Sequence, residues 1–409
     1  MHILIVTQYF YPENFKSNDL AFELSNRGYK VTVLTGLPNY PEGKIYKGYG
    51  VFKKRKEIIK GVKVIRVLVF PRGDGGALKL FLNYFSFAFF GMIKACFLSL
   101  KKKYDAVIVH EPSPITQYYP ALLINKFRQV PVYFWVMDLW PESLIASGGI
   151  KNKLIIGFFE RMVIRFYKNS KKILITSKGF EKAILKKGDF KDKISFFPNW
   201  AEDKIGEGNL DYSLPDLPDG FKVLFAGNLG ESQDMESIMK SALLLKEEKH
   251  IKFILVGEGR KSHFLKNYIE ENCLTETVFL LGKYPIDAMA AFFNKANVLL
   301  VSLKDEPIFS LTIPAKIQAY MSSKKPIIAM LNGEGAEILE EANCGVSVPA
   351  GNYEALSRVL INMSSKEPEA LRLLGVNGYN FYMKNYKLEN CISNLENILN
   401  EEKNIDNRN

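Results

Sequence analysis

Short runs of apolar residues recur along the chain, and longer stretches with helical spacing separate them. In the first half these runs cover residues 3–7, 31–35, 64–69, 106–109, 132–136, 173–176 and 194–197. In the second half they cover residues 223–226, 253–256, 278–281, 298–301, 326–329 and 346–348. Nearly continuous apolar strands that alternate with helices are typical of parallel sheets covered on both faces. The pattern therefore predicts an α/β protein with two Rossmann-like, doubly wound domains.

A segment rich in Gly, Pro, Asp and Glu at residues 201–220 separates the two series of strands and predicts an interdomain linker. We expect an N-terminal domain at residues 1–200 and a C-terminal domain at residues 221–376, facing each other across a cleft. Residues 377–409 have a helical pattern, and we expect them to pack back on the N-terminal domain. Ligands of doubly wound sheets bind beyond the carboxyl ends of the strands, so the loops there are the candidates for a site.

Residues 78–100 form a long apolar stretch, and three lysines follow it at positions 101–103. Its length is compatible with a membrane span, but polar residues such as Asn83 and Lys94 interrupt it, and a strand follows at once. The sequence leaves three interpretations open: a span, a core helix, and a helix partly in the core and partly on the membrane surface. We expect the third, because the basic runs at 53–56 and 101–103 suit anionic headgroups.

The formal net charge is +11, with the excess of basic residues in the first half and an acidic second half. A basic half suits nucleic acid or an anionic membrane surface, but the acidic half and the lack of a binding motif argue against nucleic acid. The four cysteines and four histidines lack ligand spacing, so we expect neither a metal site nor disulfides. The N-terminus lacks the basic region of a signal peptide, which favours a cytoplasmic protein at the inner face of the plasma membrane.

Three loops in the second half follow predicted strands and combine glycine with positive charge. Residues 226–230, Ala-Gly-Asn-Leu-Gly, let the backbone approach a ligand closely. Residues 256–261 place Arg and Lys after two glycines, where they can neutralise a pyrophosphate. Residues 310–321 begin a helix with Pro314 in its first turn. Lys316 lies in the same turn, where a cation opposes the helix dipole unless an anion is bound.

Polar residues also follow the strands of the first half, where they are expected to line one edge of the sheet. Asp138 and Glu142 follow the run at 132–136 and are candidate catalytic residues, because a carboxylate accepts a proton or positions a hydroxyl group. The alternative for each is a helix cap or a loop hydrogen bond. Further candidates for ligand contact in the other loops are Asn14, Asn18, Asn39, Tyr40 and His110.

Together these motifs make the chain resemble the bacterial glycosyltransferases of family four, which have the GT-B fold. It is most similar to the branch that transfers N-acetylated amino sugars, such as N-acetyl-L-fucosamine, in O-antigen and capsule assembly. The resemblance covers nearly the whole chain. The motifs that carry it lie at residues 7–13, 35–43, 138–143, 198–200, 227–230, 314–316 and 325–327.

The resemblance implies retaining transfer of an N-acetylhexosamine or a 6-deoxy derivative from a UDP-sugar to a polyprenyl-pyrophosphate-linked saccharide, without a metal or cofactor. It implies an acceptor site on the N-terminal domain, with Asp138 at the position of an acceptor-side catalytic residue. The donor site is implied on the C-terminal domain. The donor-binding residues are then Gly227, Asn228, Gly230, Arg260, Lys261, Gly282, Tyr284, Ser310, Leu311, Pro314, Lys316 and Gln318.

The chain departs from the family pattern beside the expected donor sugar. Many relatives carry two glutamates eight residues apart, where this chain has Ser310 and Gln318. Asn228 and Asp234 stand near the places where relatives often supply Arg and Lys, so the remaining cations have to neutralise the phosphates. Two other functions stay open on these residues: a nucleotide-sugar-binding subunit without catalysis, and a UDP-sugar epimerase of the same fold.

Overall fold

The chain forms two compact units in the computed structural model, which describes residues 1–101, 103–148, 152–201 and 208–406. Unit 1 comprises Met1–Phe197 and Cys391–Asn409, and unit 2 comprises Pro198–Asn390. Each unit contains a largely parallel sheet with helices between successive strands. The predicted fold class, with two doubly wound α/β domains, is therefore confirmed. Part of the predicted linker, residues 202–207, lies outside the described residues.

The sheet of unit 1 contains eight strands in the order β3-β4-β2-β1-β5-β6-β7-β8. Its strands are β1 (His2–Val6), β2 (Lys30–Gly36), β3 (Lys56–Ile59), β4 (Val62–Val67), β5 (Ala106–Glu111), β6 (Val132–Val136), β7 (Lys172–Ile175) and β8 (Ile194–Phe196). Only the β3–β4 pair is antiparallel among these strands. The strand order changes direction between β1 and β5, and such a switch point is where open α/β sheets bind ligands.

Strand β3 is absent from the elements that the apolar pattern predicts. Its four residues alternate between exposed and half-buried positions at the edge of the sheet. It pairs with β4 through a turn at Lys60 and Gly61, both of which have positive φ. A short polar edge strand carries no continuous apolar run, because one of its sides faces solvent.

The helices of unit 1 lie between its strands and after them in the chain. They are α1 (Lys16–Asn26), α2 (Ala77–Lys101), α3 (Tyr119–Arg128), α4 (Glu142–Gly148), α5 (Lys153–Asn169) and α6 (Gly179–Leu185). Short 3-10 turns cover Ile115–Tyr118 and Lys191–Lys193.

Helix α2 has one buried face and one exposed apolar face. Its segment Ala77–Leu100 is long and apolar enough to cross a membrane. The core helix of a soluble protein can have the same length and composition. In this helix 33% of the most apolar stretch is buried. The helix packs against α3, β2 and β4. The large apolar side chains that it exposes are Leu78, Phe81, Leu82, Phe89, Ile93, Phe97 and Leu100. Most of these recur every three or four residues, so they form a stripe along one side of the helix.

The sheet of unit 2 contains six strands, which are parallel in every pair described. They are β9 (Phe221–Ala226), β10 (Ile251–Val256), β11 (Val278–Gly282), β12 (Val298–Ser302), β13 (Ile327–Met330) and β14 (Gly345–Val348). Their order is β11-β10-β9-β12-β13-β14. This is the Rossmann order, and its switch point lies between β9 and β12.

Helices cover both faces of the unit 2 sheet. They are α7 (Met235–Leu244), α8 (Ser262–Glu271), α9 (Met289–Lys295), α10 (Pro307–Ser310), α11 (Ala315–Met321), α12 (Glu334–Glu341), α13 (Tyr353–Ser364) and α14 (Pro368–Asn385). Neighbouring residues of β9 enter different apolar clusters. Val223 packs with Ile238 of α7, and Leu224 packs in the cluster that contains Ile317 of α11. The alternation of side chains along the strand produces this two-sided burial.

The C-terminal segment, which the sequence assigns as one piece at residues 377–409, is divided between the two units. Helix α14 stays in unit 2, where Gly378 lies against the side chain of Cys344. The following helix, α15 (Leu388–Asp406), joins unit 1 from Cys391 onward. Its Glu396 carboxylate accepts a hydrogen bond from the guanidinium of Arg27 in α1, at 2.6 Å.

Candidate functional site

The carboxyl-terminal edge of the unit 2 sheet carries loops in close backbone contact. The Gly227 amide donates a hydrogen bond to the Val256 carbonyl at 2.9 Å, and the Gly257 amide donates to the Gly282 carbonyl at 2.7 Å. Gly227 and Gly257 have φ values of 137° and 144°, and a Cβ atom on Gly257 would lie 1.8 Å from the Gly227 carbonyl oxygen. Only glycine fits there, so bare backbone is exposed at the switch point.

Asn228 covers part of the same surface. Its Nδ2 atom would lie 2.6 Å from a Cβ on Gly230, and its Oδ1 atom would lie 2.7 Å from a Cβ on Gly259. The Lys261 amide donates a hydrogen bond to the Leu229 carbonyl at 3.0 Å. The first two glycine-containing loops that the sequence predicts therefore form one continuous surface, with Asn228 exposed on it.

Lys316 of α11 is half-buried, with its ammonium beneath this surface. A Cβ on Gly227 would lie 2.7 Å from its Cε atom, and its ammonium lies 4.0 Å from the centroid of the Phe225 ring. The ammonium donates a hydrogen bond to the side-chain oxygen of Gln233. Burial lowers the pKa of Lys316 to about 7, and no described carboxylate forms an ion pair with it. A buried cation without a counterion is suited to receive an anion.

The other two predicted phosphate ligands are placed differently from Lys316. The Lys261 ammonium forms ion pairs with the carboxylates of Glu231, at 3.4 Å, and Glu236, at 3.0 Å. Arg260 is exposed in the loop before α8. Lys261 is thus already neutralised by its own neighbours, and the prediction that it supplies charge to the phosphates does not fit this arrangement.

The segment around α11 differs in detail from the sequence prediction. Pro314 has extended backbone angles and precedes the helix, which begins at Ala315, because ψ of 132° is not helical. The Ser310 carbonyl lies against Gly333, where a Cβ would approach its oxygen to 2.0 Å, and Leu311 follows, partly exposed. Gln318 is 1% exposed, and its Oε1 has no hydrogen-bond partner among the described residues. Its side chain lies below the surface rather than on it.

Gly282 and Tyr284 complete this edge of unit 2. Gly282 ends β11 and accepts the hydrogen bond from Gly257. The Tyr284 ring packs edge-on against Phe292 of α9, with 4.8 Å between ring centroids, and stays partly exposed. Both residues therefore lie at the same sheet edge as the two glycine loops.

A buried carboxylate, Glu13, joins the two loops of unit 1 that follow β1 and β2. Its Oε1 accepts hydrogen bonds from the amides of Asn39, at 2.8 Å, and Tyr40, at 2.7 Å. Its Oε2 accepts one from the Phe10 amide at 3.3 Å. Burial raises the pKa of Glu13 to about 7, and the amide hydrogen bonds oppose that effect. Glu13 thus fixes the shape of both loops from beneath.

Asn18 and Asn39, predicted to contact an acceptor, are buried parts of the same framework. The Asn18 oxygen accepts a hydrogen bond from the Tyr11 amide at 2.9 Å, and its nitrogen donates to the Glu13 carbonyl at 2.7 Å. The Asn39 nitrogen donates to the Leu37 carbonyl at 3.0 Å. The prediction is corrected for both residues, because their polar atoms are used to close the loops.

His110 is also buried, whereas Asn14 and Tyr40 are exposed. The His110 Nδ1 atom pairs with the Thr7 hydroxyl at 3.2 Å, and the ring packs against Trp135. Burial lowers the pKa of His110 to about 3, so the ring is neutral. His110 supports the sheet edge and does not reach an acceptor, while Asn14 and Tyr40 keep accessible side chains.

Asp138 lies in the loop after β6, at the same sheet edge as Glu111 at the end of β5. Burial raises the pKa of Asp138 to about 6, although its side chain stays partly open to solvent. The pKa of Glu111 is raised well above its usual range by burial and by the neighbouring Asp138 carboxylate. The pKa of Asp138, about 6, lies close to the range that suits a general base.

Glu142, the second candidate catalytic carboxylate, begins α4 and forms an ion pair with the ammonium of Lys187. The Lys187 side chain is 5% exposed and that of Glu142 is 34% exposed, so the ammonium is desolvated while the carboxylate stays partly open to solvent. Removing one partner of such a pair leaves an uncompensated charge. Glu142 is better explained as a structural residue, and the catalytic prediction for it is corrected.

Several polar residues at the unit 1 edge were not predicted from the sequence. Glu13 lies within the motif at residues 7–13, and Glu111 directly follows His110, but the burial of both is a tertiary property. Arg72 and Tyr84 come from the loop after β4 and from α2, and the structure places them near Asp138 and Tyr40. The position of Arg72 directly after a strand was the available signal.

The sequence predicts neither a metal site nor a cofactor. Among the residues that the structure describes, no group of three or more His, Cys, Asp and Glu side chains is arranged to hold a metal ion. Metal independence stays a prediction, and the cationic role at the candidate diphosphate site falls to Lys316.

Comparison with known proteins adds a family to this geometry. Residues 220–366 match the family model described as Glycosyl transferases group 1. The chain is 27% identical over 296 residues to the probable glycosyltransferase WbjE of Pseudomonas aeruginosa, covering 68% of this chain and 73% of WbjE. It is 26% identical over 300 residues to the putative colanic acid biosynthesis glycosyl transferase WcaI of Escherichia coli (strain K12), covering 69% of this chain and 70% of WcaI.

Solved structures are similar over almost the whole chain. Sucrose-phosphate synthase of Thermosynechococcus elongatus has a TM-score of 0.74 at 16% identity, covering 99% of both chains. Anabaena HepE, solved in complex with UDP and glucose, has a TM-score of 0.66 at 14% identity, covering 97% of this chain and 99% of HepE. At these identities the likeness shows the fold.

Proposed function

We propose that the chain is a glycosyltransferase of GT-B fold whose donor is a UDP-sugar, because residues 220–366 match the group 1 glycosyl transferase model and the fold is similar over almost the whole chain. One observation carries the proposal: the buried, uncompensated Lys316 lies beneath the two glycine loops at the Rossmann switch point of unit 2. A nucleoside diphosphate supplies the negative charge that this cation lacks, and the glycines let its oxygens approach the backbone closely.

The similar structures support a uridine nucleotide. HepE was solved in complexes with UDP and with UDP-glucose. Another similar structure, described as trehalose-6-phosphate from E. coli, was solved bound with UDP-2-fluoro glucose. In this chain the diphosphate would lie on the surface of Gly227 and Gly257, next to Lys316. Tyr284 and Gly282 would then lie beside the uracil base.

Lys316 has a chemical role beyond binding. Breaking the bond between sugar and phosphate leaves negative charge on the departing UDP, and a nearby cation in a desolvated site stabilises that charge. The free Lys316 is half neutral near pH 7, so diphosphate binding raises its pKa and draws in a proton. In this proposal the bound diphosphate itself induces the positive charge on Lys316 that stabilises it, and no metal ion takes part.

The acceptor belongs to the edge of unit 1 in this proposal, where Asp138 is the candidate catalytic residue. Its pKa of about 6 leaves it ionised at neutral pH. An ionised carboxylate accepts the proton of a hydroxyl group or orients that hydroxyl group while the leaving phosphate takes the proton. Configuration is retained, as in the family that the chain resembles.

We propose a lipid-linked saccharide as acceptor and surface polysaccharide as the product. The relatives include a putative colanic acid biosynthesis glycosyl transferase and an amylovoran biosynthesis glycosyltransferase. Such polymers are assembled on polyprenyl-pyrophosphate carriers, which reside in the membrane. The transferred sugar is an N-acetylhexosamine or a 6-deoxy derivative on this proposal.

The exposed stripe of α2 motivates a peripheral position on the inner face of the plasma membrane. Phe81, Phe89 and Phe97 are each more than half exposed along this stripe. Aromatic side chains on a helix flanked by lysines bind anionic membrane surfaces. Replacing all three phenylalanines with serine should abolish co-sedimentation with vesicles containing phosphatidylglycerol. Leu244→Ser, at an exposed apolar position in unit 2, is the control and should sediment as the wild type does.

The donor proposal is tested by calorimetric titration with UDP at pH 8 in buffers of different ionisation enthalpy. We expect wild-type protein to take up roughly one proton per UDP, because Lys316 goes from mostly neutral to charged. Lys316→Met should bind UDP at least tenfold more weakly and take up no proton. Lys304→Met removes an exposed cation paired with Glu231 in the same unit and should leave both quantities unchanged. Equal proton uptake in wild type and Lys316→Met contradicts the proposal.

A further inference from the structure

Arg72 of unit 1 holds its guanidinium at the surface of an aromatic cluster. The guanidinium lies 5.0 Å from the centroid of the Tyr40 ring and donates a hydrogen bond to the Tyr9 hydroxyl at 3.2 Å. Tyr9 in turn stacks on Phe15, with 5.0 Å between ring centroids. Arg72 itself stays partly exposed, and it forms no ion pair with a carboxylate of the described residues.

A buried chain of amide groups fixes the backbone of Arg72. The Gln8 nitrogen donates to the Asn83 oxygen at 2.6 Å, and the Asn83 nitrogen donates to the Asn39 oxygen at 3.3 Å. That same Asn39 oxygen accepts a hydrogen bond from the Arg72 amide at 3.1 Å. The loop after β4 is thereby held in place by side chains from the loops after β1 and β2 and from α2, and its arginine is preorganised.

Tyr84 of α2 relates Arg72 to Asp138, which lies at the same edge of the unit 1 sheet. The Tyr84 hydroxyl interacts electrostatically with Arg72, with Asp138 and with Tyr40. Tyr40 is partly exposed, and its ring carries the Arg72 guanidinium. An arginine on an aromatic surface, at the same sheet edge as a candidate base, suits a saccharide that carries a negative group.

We infer that Arg72 binds an anionic group of the acceptor and so positions the acceptor hydroxyl at Asp138. Guanidinium matches the paired oxygens of a phosphate or a carboxylate with two parallel hydrogen bonds, and the ring of Tyr40 keeps its plane in one orientation. The anion belongs either to the pyrophosphate of a lipid carrier or to a carboxylate on the acceptor sugar. This inference rests on the proposed function, because it assigns the acceptor of that reaction.

The test is a titration of the full chain, with UDP at saturation so that the donor site is closed to other anions. Inorganic pyrophosphate and methyl glucuronide are the two probes. We expect Arg72→Gln to weaken binding of the preferred probe at least tenfold. Arg72→Lys should weaken it less, because lysine keeps the positive charge and loses only the two parallel hydrogen bonds of the guanidinium. Lys79→Gln is the control, since Lys79 is exposed and already paired with Asp74 at 2.9 Å; it should stay within twofold of wild type.

Tighter binding of pyrophosphate assigns the site to the lipid carrier, and tighter binding of methyl glucuronide assigns it to a sugar carboxylate. Unchanged affinity in Arg72→Gln overturns the inference, and so does a wild-type chain that binds neither probe. An unchanged hydrogen-exchange pattern in β1 and β2 shows that the variant has folded. If UDP fails to bind, the donor part of the proposed function is wrong, while the dependence on Arg72 is still measured without it.

Discussion

Replacing Lys316 with methionine should stabilise the protein in the absence of UDP. The side chain is desolvated beneath the glycine loops and has no counterion among the described residues. Methionine has a similar length and shape, and its thioether has no charge to desolvate. A residue kept for binding at the expense of stability is expected at a functional site.

The magnitude follows from the pKa of Lys316, which falls from 10.5 in the unfolded chain to about 7 in the folded one. Because the folded pKa is depressed, stability is lost as the pH falls from 10.5 through 7. Each pKa unit corresponds to about 1.4 kcal/mol, so the destabilisation is about 4 kcal/mol at pH 7 and about 2 kcal/mol at pH 9. The contacts with Gln233 and Phe225 offset roughly 1 kcal/mol each. We therefore expect Lys316→Met to gain about 2–4 kcal/mol at pH 7.

Hydrogen exchange measured by mass spectrometry is the suitable assay, because it reports the opening free energy of unit 2 alone. Peptides that cover β9 and β10 should exchange more slowly in Lys316→Met than in wild type after correction for intrinsic rates. The gain should be smaller at pH 9 than at pH 7. Saturating UDP should slow exchange in wild type more than in the variant.

Lys304→Met is the control for this measurement, since Lys304 is exposed and paired with Glu231. It should change exchange by no more than about 0.5 kcal/mol at either pH. A Lys316→Met variant that is destabilised at pH 7, or that gains equally at pH 7 and pH 9, would show that Lys316 is not an uncompensated buried cation.

Three further predictions concern unit 1. Asp138→Asn should lower kcat by about 100-fold with unchanged UDP affinity. We expect wild-type kcat/KM to fall below a pKa of about 6, where the Asp138 carboxylate becomes protonated, and the variant to lose this fall. A variant that keeps the same fall at low pH contradicts the role. Glu13→Gln should raise the acceptor KM. It should also lower the opening free energy of the two loops, measured by hydrogen exchange, by about 1–3 kcal/mol, because the amide nitrogen of the new glutamine would face the Phe10 amide. Unchanged hydrogen exchange in these loops is the opposing result. Glu142→Gln should lower Tm, because it leaves Lys187 unpaired. At a temperature where the variant is folded, kcat should stay within about threefold of wild type. A large loss of kcat with a normal Tm restores Glu142 as a catalytic candidate.

The fold was largely predictable because its strands are buried on both faces. Each predicted run overlaps an observed strand, from β1 at the N-terminus to β14, since a parallel strand must be apolar along its whole length. The exception is β3, whose half-exposed edge position leaves no such run. The division of the C-terminal helices was also hidden, because the close packing of Gly378 on Cys344 is a tertiary contact.

The candidate sites were predictable to the level of loops and not of side chains. Position after a strand selected the segments that hold Gly227, Lys316 and Asp138, because topology brings strand ends to one edge of a sheet. Sequence gives no information on which polar side chain in a loop is buried. His110 is therefore a supporting residue, and Arg72 was missed although it follows a strand in the same way.

Transfer itself tests the central claim most directly. The full chain should be incubated with each of a panel of UDP-sugars and with polyprenyl-pyrophosphate-linked saccharides in vesicles containing phosphatidylglycerol, and the lipid products should be weighed by mass spectrometry. We predict that one donor gives a product heavier by one sugar residue, with release of one UDP per transfer, and that Lys316→Met and Asp138→Asn reduce this product. Conversion of a UDP-sugar into its epimer without any acceptor, or tight UDP-sugar binding with no heavier lipid for any pair, would contradict the account.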